Sequence, residues 1–454
     1  MLLSWADRAS SRQEAPRFKP RADCLAGALR SAWPTWCTNG NPMPTSPVIL
    51  ILSSGPLCRN PRVRKEAETL GDAGFDVTVM TVANQARFEA FDAEILQNAR
   101  YRKVVLDQIS RGGLPGARIF LGRLRTWLAK HCARLGIQSP QALGPTAALG
   151  RMAHGFAADL TIVHTEMPFC IGCGLLARGR RVASDFEDWH SHDLLPETRT
   201  TRPMRLISEA ERILLRQSAY SSTTSHAMAH ALQSAYGGKL PVVITNSFPL
   251  QPEPSLIPNV NPPSLFWFSQ TVGPGRGLEL FLSAWRQTTH SSRLTLLGDV
   301  DPAYKAKLIQ RLPPERRDSL TFLPVTSPDE LPSLIAAHDI GLALELDYPR
   351  SKSCTISNKI LQYLNAGVAV VASDTLGQRE VLANAPGAGV LASLFQTGEL
   401  AAQLDRILAS RPLLDSMKRA ARRAAIETYC WEREAPRLLA AVESAVSSPA
   451  ALPR

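Results

Sequence analysis

Val48-Ile-Leu-Ile-Leu52 is an uninterrupted apolar run of strand length, and the residues after it decide how this chain folds. A loop of small residues leads to Asn60 and Pro61, a good N-cap followed by proline at the first helical position. Val63, Ala67 and Leu70 recur at helical spacing, Gly74 stops the helix, and Val77-Thr-Val-Met-Thr81 reads as a second strand. A strand, helix and strand joined this tightly require a right-handed crossover and a parallel sheet.

Working outward, the same alternation continues in both directions of the chain. Strands are expected at Leu160–Val163, Arg181–Ala183, Ser221–Thr224 and Val242–Thr245. Residues 249–263 then hold six prolines, too poor in donors and too fixed in φ for a core element, so they read as a linker. Beyond it the pattern restarts with strands at Leu265–Phe268, Leu294–Leu297, Leu320–Leu323, Ile340–Leu344 and Val368–Ala372, separated by helices including Gly277–Trp285 and Asn358–Asn365. The implied architecture is α/β: two Rossmann-like, doubly wound domains facing a cleft, with ligands at the carboxyl ends of the strands. The expected boundaries are an N-terminal domain at 43–248, the linker at 249–263, a second domain at 264–430, and a C-terminal helix in 431–454 crossing back to the first domain. Residues 1–42 lack periodicity and read as a disordered extension or a misplaced start.

Bulk properties narrow the class. The chain has 454 residues, 44% of them hydrophobic, and a net charge of +11, which favours anionic partners such as nucleotides or phospholipid. No apolar run approaches the ~18–20 residues of a membrane span. Eight cysteines scattered along the chain do not make a disulfide framework, and point to a reducing cytoplasm. Cys170 and Cys173 stand alone as a pair, without the further ligands a zinc site needs. Residues 100–134 carry nine Lys and Arg against Asp107 alone, interleaved with Phe120, Leu121, Leu124, Trp127 and Leu128. That composition suits a helix lying on anionic lipid; the same residues could instead pack on the sheet and solvate their arginines. No recognition motif for nucleic acid accompanies the charge.

Two stretches of the second half carry candidate chemistry. Gly273-Pro-Gly-Arg-Gly277 lies between a strand and a helix, so its glycines allow close backbone approach and Arg276 offers a planar cation for phosphate. Ser357 is a good N-cap for the helix behind it, whose free amides form an anion site. In the first half, Asp185-Phe-Glu-Asp-Trp-His-Ser-His-Asp193 is acidic and rich in histidine, and follows a strand at the cleft edge.

Taken together these phrases resemble the GT-B glycosyltransferases, in particular the retaining family 4 group, over about Val48 to Trp431. The resemblance rests on Ser53-Ser-Gly-Pro-Leu-Cys-Arg-Asn-Pro-Arg-Val-Arg-Lys-Glu-Ala67, on the passage Glu211 to Phe248, on Phe266-Trp-Phe-Ser-Gln-Thr-Val-Gly-Pro-Gly-Arg-Gly-Leu-Glu279, and on Ser357-Asn-Lys-Ile-Leu-Gln-Tyr-Leu-Asn-Ala-Gly-Val-Ala-Val-Val-Ala-Ser-Asp374. It implies transfer of a sugar from a nucleotide-diphosphate sugar to a glycan or lipid-linked acceptor, in surface polysaccharide or glycolipid assembly. It implies no cofactor and no catalytic metal; the basic stretch at 100–134 adds a cytoplasmic place, peripheral on the inner face of the plasma membrane. Donor binding would fall on Gly55, Thr271, Gly275, Arg276, Gly277, Gly298, Ser357, Asn358, Lys359 and Gln362. Catalysis would fall on Glu187, in the slot where relatives often place a histidine, on His190, and on Arg276. The chain departs from the family pattern at three charged positions. The paired glutamates become Cys354 and Gln362, and the usual phosphate arginine becomes Thr271. Cys354 and Gln362 leave open a non-catalytic partner protein of the same fold, and the same two-domain plan also admits a sugar-nucleotide epimerase.

Overall fold

The computed structural model describes residues 46–109, 116–194, 196–252 and 262–448. The extension at 1–42 and most of the proline-rich segment lie outside the described residues. Seven parallel strands form the first sheet: β1 (Val48–Leu52), β2 (Asp76–Ala83), β3 (Arg102–Asp107), β4 (Leu160–His164), β5 (Val182–Phe186), β6 (Ser221–Thr223) and β7 (Val242–Val243). They lie in the order 3-2-1-4-5-6-7. Six more form the second: β8 (Ser264–Val272), β9 (Arg293–Val300), β10 (Leu320–Leu323), β11 (Ile340–Ala343), β12 (Ala369–Ser373) and β13 (Gly389–Ala392), in the order 10-9-8-11-12-13. Each sheet reverses strand order once, between β1 and β4 and between β8 and β11, and a doubly wound sheet binds ligands at that switch. This is the GT-B architecture.

Local chemistry explains the elements nearest the switch points. Asn60 caps the helix Pro61–Asp72 by accepting from the Val63 amide at 3.1 Å. All of Ile49, Ile51, Val77, Val79 and Ile162 are buried beneath that helix and its neighbours, each such side chain contributing about 1.5–3 kcal/mol. In the second domain Tyr363 lies across β11 where residue 341 is glycine; a Cβ there would sit 2.3 Å from the ring. That close approach sets the helix Asn358–Asn365 against the sheet, with the Tyr363 hydroxyl donating to the Phe266 and Leu342 carbonyls. The helix Trp431–Ser447 packs on Pro61–Asp72, its Trp431 indole donating to Thr69 at 2.8 Å.

Two elements differ from the sequence expectation. Residues 100–134 are not one amphipathic helix: Arg102–Asp107 is the edge strand β3, and the helix is Ala117–Arg134. The β-branched pair Val104 and Val105 prefers a strand, and Arg102 and Lys103 find carboxylates in Asp76, Glu89 and Asp92. Strand β5 runs to Phe186, so Asp185 lies in the sheet rather than in the loop after it. A strand can hold this buried carboxylate because Arg62 neutralises it from the neighbouring helix. Cys170 and Cys173 are half-buried on the helix Glu166–Leu176, where burial pushes both thiols up to about 12.

Candidate active site

Beneath the first domain's half of the site is a buried charge cluster. Arg62 binds Asp185 in a fork, at 2.8 and 2.6 Å, and spends a third donor on the Ile244 carbonyl at 2.8 Å. Ser222 donates to the same carboxylate at 2.7 Å, and His164 meets Glu66 at 2.6 Å. Burial alone would raise the Asp185 carboxyl, but Arg62 and His164 hold it below the usual carboxylate range. The cluster fixes the end of β5, from which Glu187 and Asp188 emerge. Glu187 accepts from the Asn246 side-chain amide at 3.0 Å, and Asn246 accepts in turn from Lys65 at 2.9 Å. Burial pushes both carboxyls up, with Asp188 adding to the effect on Glu187.

These raised carboxyls carry a pH signature. Each unfolded carboxyl ionises near its ordinary value, 4.5 for Glu187 and 3.8 for Asp188, while the folded one resists ionisation. Their stabilising contribution is therefore full below those values and is lost as pH rises through the folded pKa values. Replacing Glu187 with Gln and Asp188 with Asn should flatten that decline, so the variant gains on wild type as pH rises from the ordinary carboxylate range towards neutrality. Melting temperatures across that range test it; parallel curves would contradict it.

The second domain supplies the glycine-loop geometry. Gly275 and Gly277 have φ of +77° and +76°, a left-handed backbone that glycine adopts without strain. Gly277 begins the helix Leu278–Trp285, and a Cβ there would sit 2.6 Å from Leu394 Cδ1. Gly298, on β9, passes under the strand leading to the loop: a Cβ there would lie 2.5 Å from the Ser269 carbonyl oxygen. Gly277→Ala should therefore lose about 1–2 kcal/mol from the backbone alone and displace Leu394 besides. A melting temperature equal to wild type would disprove that packing.

From the end of β11 comes Glu345, which neither motif nor resemblance singled out. Its carboxylate accepts from Lys359 Nζ at 3.1 Å and from Ser357 Oγ at 3.3 Å, while its amide donates to Ser373 at 2.7 Å. Burial would raise this carboxyl; Lys359, Lys352 and Arg276 together hold it low. Lys352 was also missed. It sits on the short helix Arg350–Cys354, 3.4 Å from Asp193. Burial opposes its charge, but Asp188, Asp193 and Glu345 keep the ammonium above its usual value.

These groups meet around a cavity of about 230 Å³ between the two sheets. Its walls include Glu187 and Asp188 from the first domain and Arg276, Glu345, Lys352, Ser357, Asn358 and Lys359 from the second. Of the residues singled out in the sequence, the structure thus brings together Glu187, Arg276, Ser357, Asn358 and Lys359. Gly275, Gly277 and Gly298 shape the loop beside it. Thr271 is exposed on β8 opposite Asp299, and Gly55 lies in the open loop after β1. Gln362, half-exposed one turn into its helix, is not among the lining residues. Nor is His190, whose ring stands edge-on to Phe169 at 5.3 Å. Cys354 is buried in the first domain's core, and its carbonyl accepts from Ser225 at 2.6 Å. Among the described residues no group of three or more His, Cys, Asp and Glu is placed to hold a metal ion.

A cavity with three cations, a helix N-terminus and a glycine loop suits a diphosphate. Comparison with known proteins agrees on the frame. Residues 262–410 match the family model described as Glycosyl transferases group 1. Anabaena Alr3699/HepE in complex with UDP-glucose superposes with a TM-score of 0.63 at 18% identity, over 88% of this chain and all of that one. The sucrose-phosphate synthase of Thermosynechococcus elongatus gives 0.64 at 16% identity, over 87% and 98% of the two chains. No curated protein sequence matches significantly.

Proposed function

We propose that this chain, which has the GT-B architecture and carries a Glycosyl transferases group 1 domain at residues 262–410, transfers a sugar from a nucleotide-diphosphate sugar to a glycan or lipid-linked acceptor. The observation that carries the proposal is the convergence of Arg276, Lys352, Lys359 and the amides behind Ser357 on one cavity between the domains. The UDP-glucose complex of the HepE neighbour supports a uridine donor. Transfer proceeds with retention: the acceptor oxygen bonds to the anomeric carbon on the face from which the diphosphate leaves, and the acceptor proton passes to a diphosphate oxygen. No protein nucleophile is then required. Arg276, Lys352 and Lys359 stabilise charge as it develops on the diphosphate, in a site whose low dielectric strengthens each contact. Glu187, on the first domain's wall of the cavity, hydrogen-bonds the sugar. A panel of nucleoside diphosphates and their sugars, followed by thermal shift, tests the reading. A ligand at 100 times its Kd stabilises by about 2.7 kcal/mol. If none raises the melting temperature, the non-catalytic reading replaces this one.

The helix Ala117–Arg134 supports a place on the inner face of a membrane, in surface glycan or glycolipid assembly. Phe120 and Trp127 on it are 55% and 54% exposed, and Leu121 and Leu128 nearly as much, while Arg118, Arg123, Arg125 and Lys130 lie in solvent beside them. The helix buries only Ala129 and Ala133. Apolar side chains left in water among cations suit an anionic lipid surface. No helix among the described residues is long and apolar enough to cross a membrane. Each basic residue contributes about 1 kcal/mol at such a surface. Reversing Arg118, Arg123 and Arg125 to glutamate should therefore release the protein from phosphatidylserine vesicles. Wild type that ignores those vesicles at low salt would defeat the reading.

A further inference from the structure

A second cavity, of about 370 Å³, opens beside the first. Its walls are His192 and Arg199 from the first domain and Asp347, Tyr348, Arg350 and Ser353 from the second. The same two elements supply both cavities. The loop after β5 gives Glu187 and Asp188 to the first and His192 to the second, and the short helix Arg350–Cys354 gives Lys352 to the first and Arg350 and Ser353 to the second.

The second cavity is electropositive by construction. Arg350 stacks its guanidinium 5.0 Å above the Trp189 ring and has no ion pair among the described residues. Trp189 is fully buried, held through its indole by Tyr236 at 3.1 Å and through its amide by Ser351 at 3.1 Å, so the platform under Arg350 is rigid. Arg199 donates from its Nε to the Leu194 carbonyl at 2.8 Å and lines the cavity. His192, its ring 4.1 Å from Trp189, feels both guanidiniums: burial first, then Arg199 and Arg350, hold its imidazole below the usual value. Against two fixed cations the wall offers one carboxylate, Asp347. Tyr348, 53% exposed, provides an aromatic face at the rim.

We propose that this cavity seats an anionic group carried by the acceptor, a phosphate or a carboxylate, held between Arg199 and Arg350 with the neighbouring sugar ring against Tyr348. Planar guanidiniums bind two oxygens of such a group at once, and the buried Trp189 ring holds Arg350 in place for that contact. The loop after β5 and the helix Arg350–Cys354 line both cavities, so an acceptor seated in this one lies next to a donor in the other. The acceptor assignment rests on the donor reading above; the anion site does not.

Imidazole resonances of the full-length protein, with His192 identified from the spectrum of His192→Gln, report on the cavity directly. Inorganic phosphate, glucose 6-phosphate, geranyl phosphate and glucose are titrated in turn, with and without UDP. Phosphate should shift the His192 signal saturably, and Arg350→Gln and Arg199→Gln should each weaken that response at least tenfold, the two variants guarding against loss of fold in either. If glucose 6-phosphate binds at least tenfold tighter than phosphate, the anion belongs to a soluble sugar; if geranyl phosphate does, it belongs to a lipid carrier. Glucose should leave the signal unmoved. A His192 signal indifferent to phosphate, or a response equal in wild type and both variants, overturns the anion site. Binding of inorganic phosphate alone, with neither organic phosphate tighter, overturns the acceptor assignment. A protein that answers phosphate but never UDP retains the anion site and loses the donor reading, so the two failures are told apart.

Discussion

Arg276→Ala is expected to lower turnover with a nucleotide-sugar donor by about 100- to 1000-fold while the melting temperature stays close to wild type. The arginine is exposed on its glycine loop and lines the cavity between the sheets, so little of the fold leans on it. In the proposed reaction its charge acts where the diphosphate departs, and an interaction that strengthens in the transition state is lost from kcat rather than from binding alone. Donor affinity and turnover measured together decide the matter. A variant as active as wild type would place the diphosphate elsewhere in the cavity. Lys352, which lines the same cavity from the short helix Arg350–Cys354, offers the same test.

The largest loss of stability is expected from Arg62→Ala, about 3–5 kcal/mol, since it strands a buried carboxylate without its partner. Arg62 and Asp185 are 3% and 2% exposed, too dry for water to replace the lost contact. The replacement of both, Arg62→Met with Asp185→Leu, should recover much of that stability, because apolar pairs of similar volume can stand in for a buried ion pair. Denaturant unfolding of the two variants checks both statements; an Arg62→Ala protein as stable as wild type would mean the pair contributes nothing. The end of β5 should loosen in the single variant, and Glu187 and Asp188 with it, so donor affinity should fall alongside stability.

Sequence alone determined the repeating units. The run Val48–Leu52, the cap at Asn60 with Pro61, and the strand from Val77 define a parallel βαβ unit by local chemistry, and Leu265–Phe268 with its glycine loop does so again. Arg276 and Ser357–Lys359 were legible for the same reason: a cation in a glycine turn and an N-cap before a helix are motifs written within a few residues. Tertiary structure decided the rest. Arg62 reaches Asp185 across 123 positions, so nothing local marked that aspartate as part of a strand. Glu345 becomes part of the site only because β11 ends beside the helix that carries Lys359. Cys354, a departure from the family pattern when read along the chain, is buried in the first domain's core, because its short helix crosses between domains. That crossing turns Lys352 toward one cavity and Arg350 toward the other. Local propensity reads contacts a few residues apart, whereas a cavity between two sheets is made of side chains that only packing brings together.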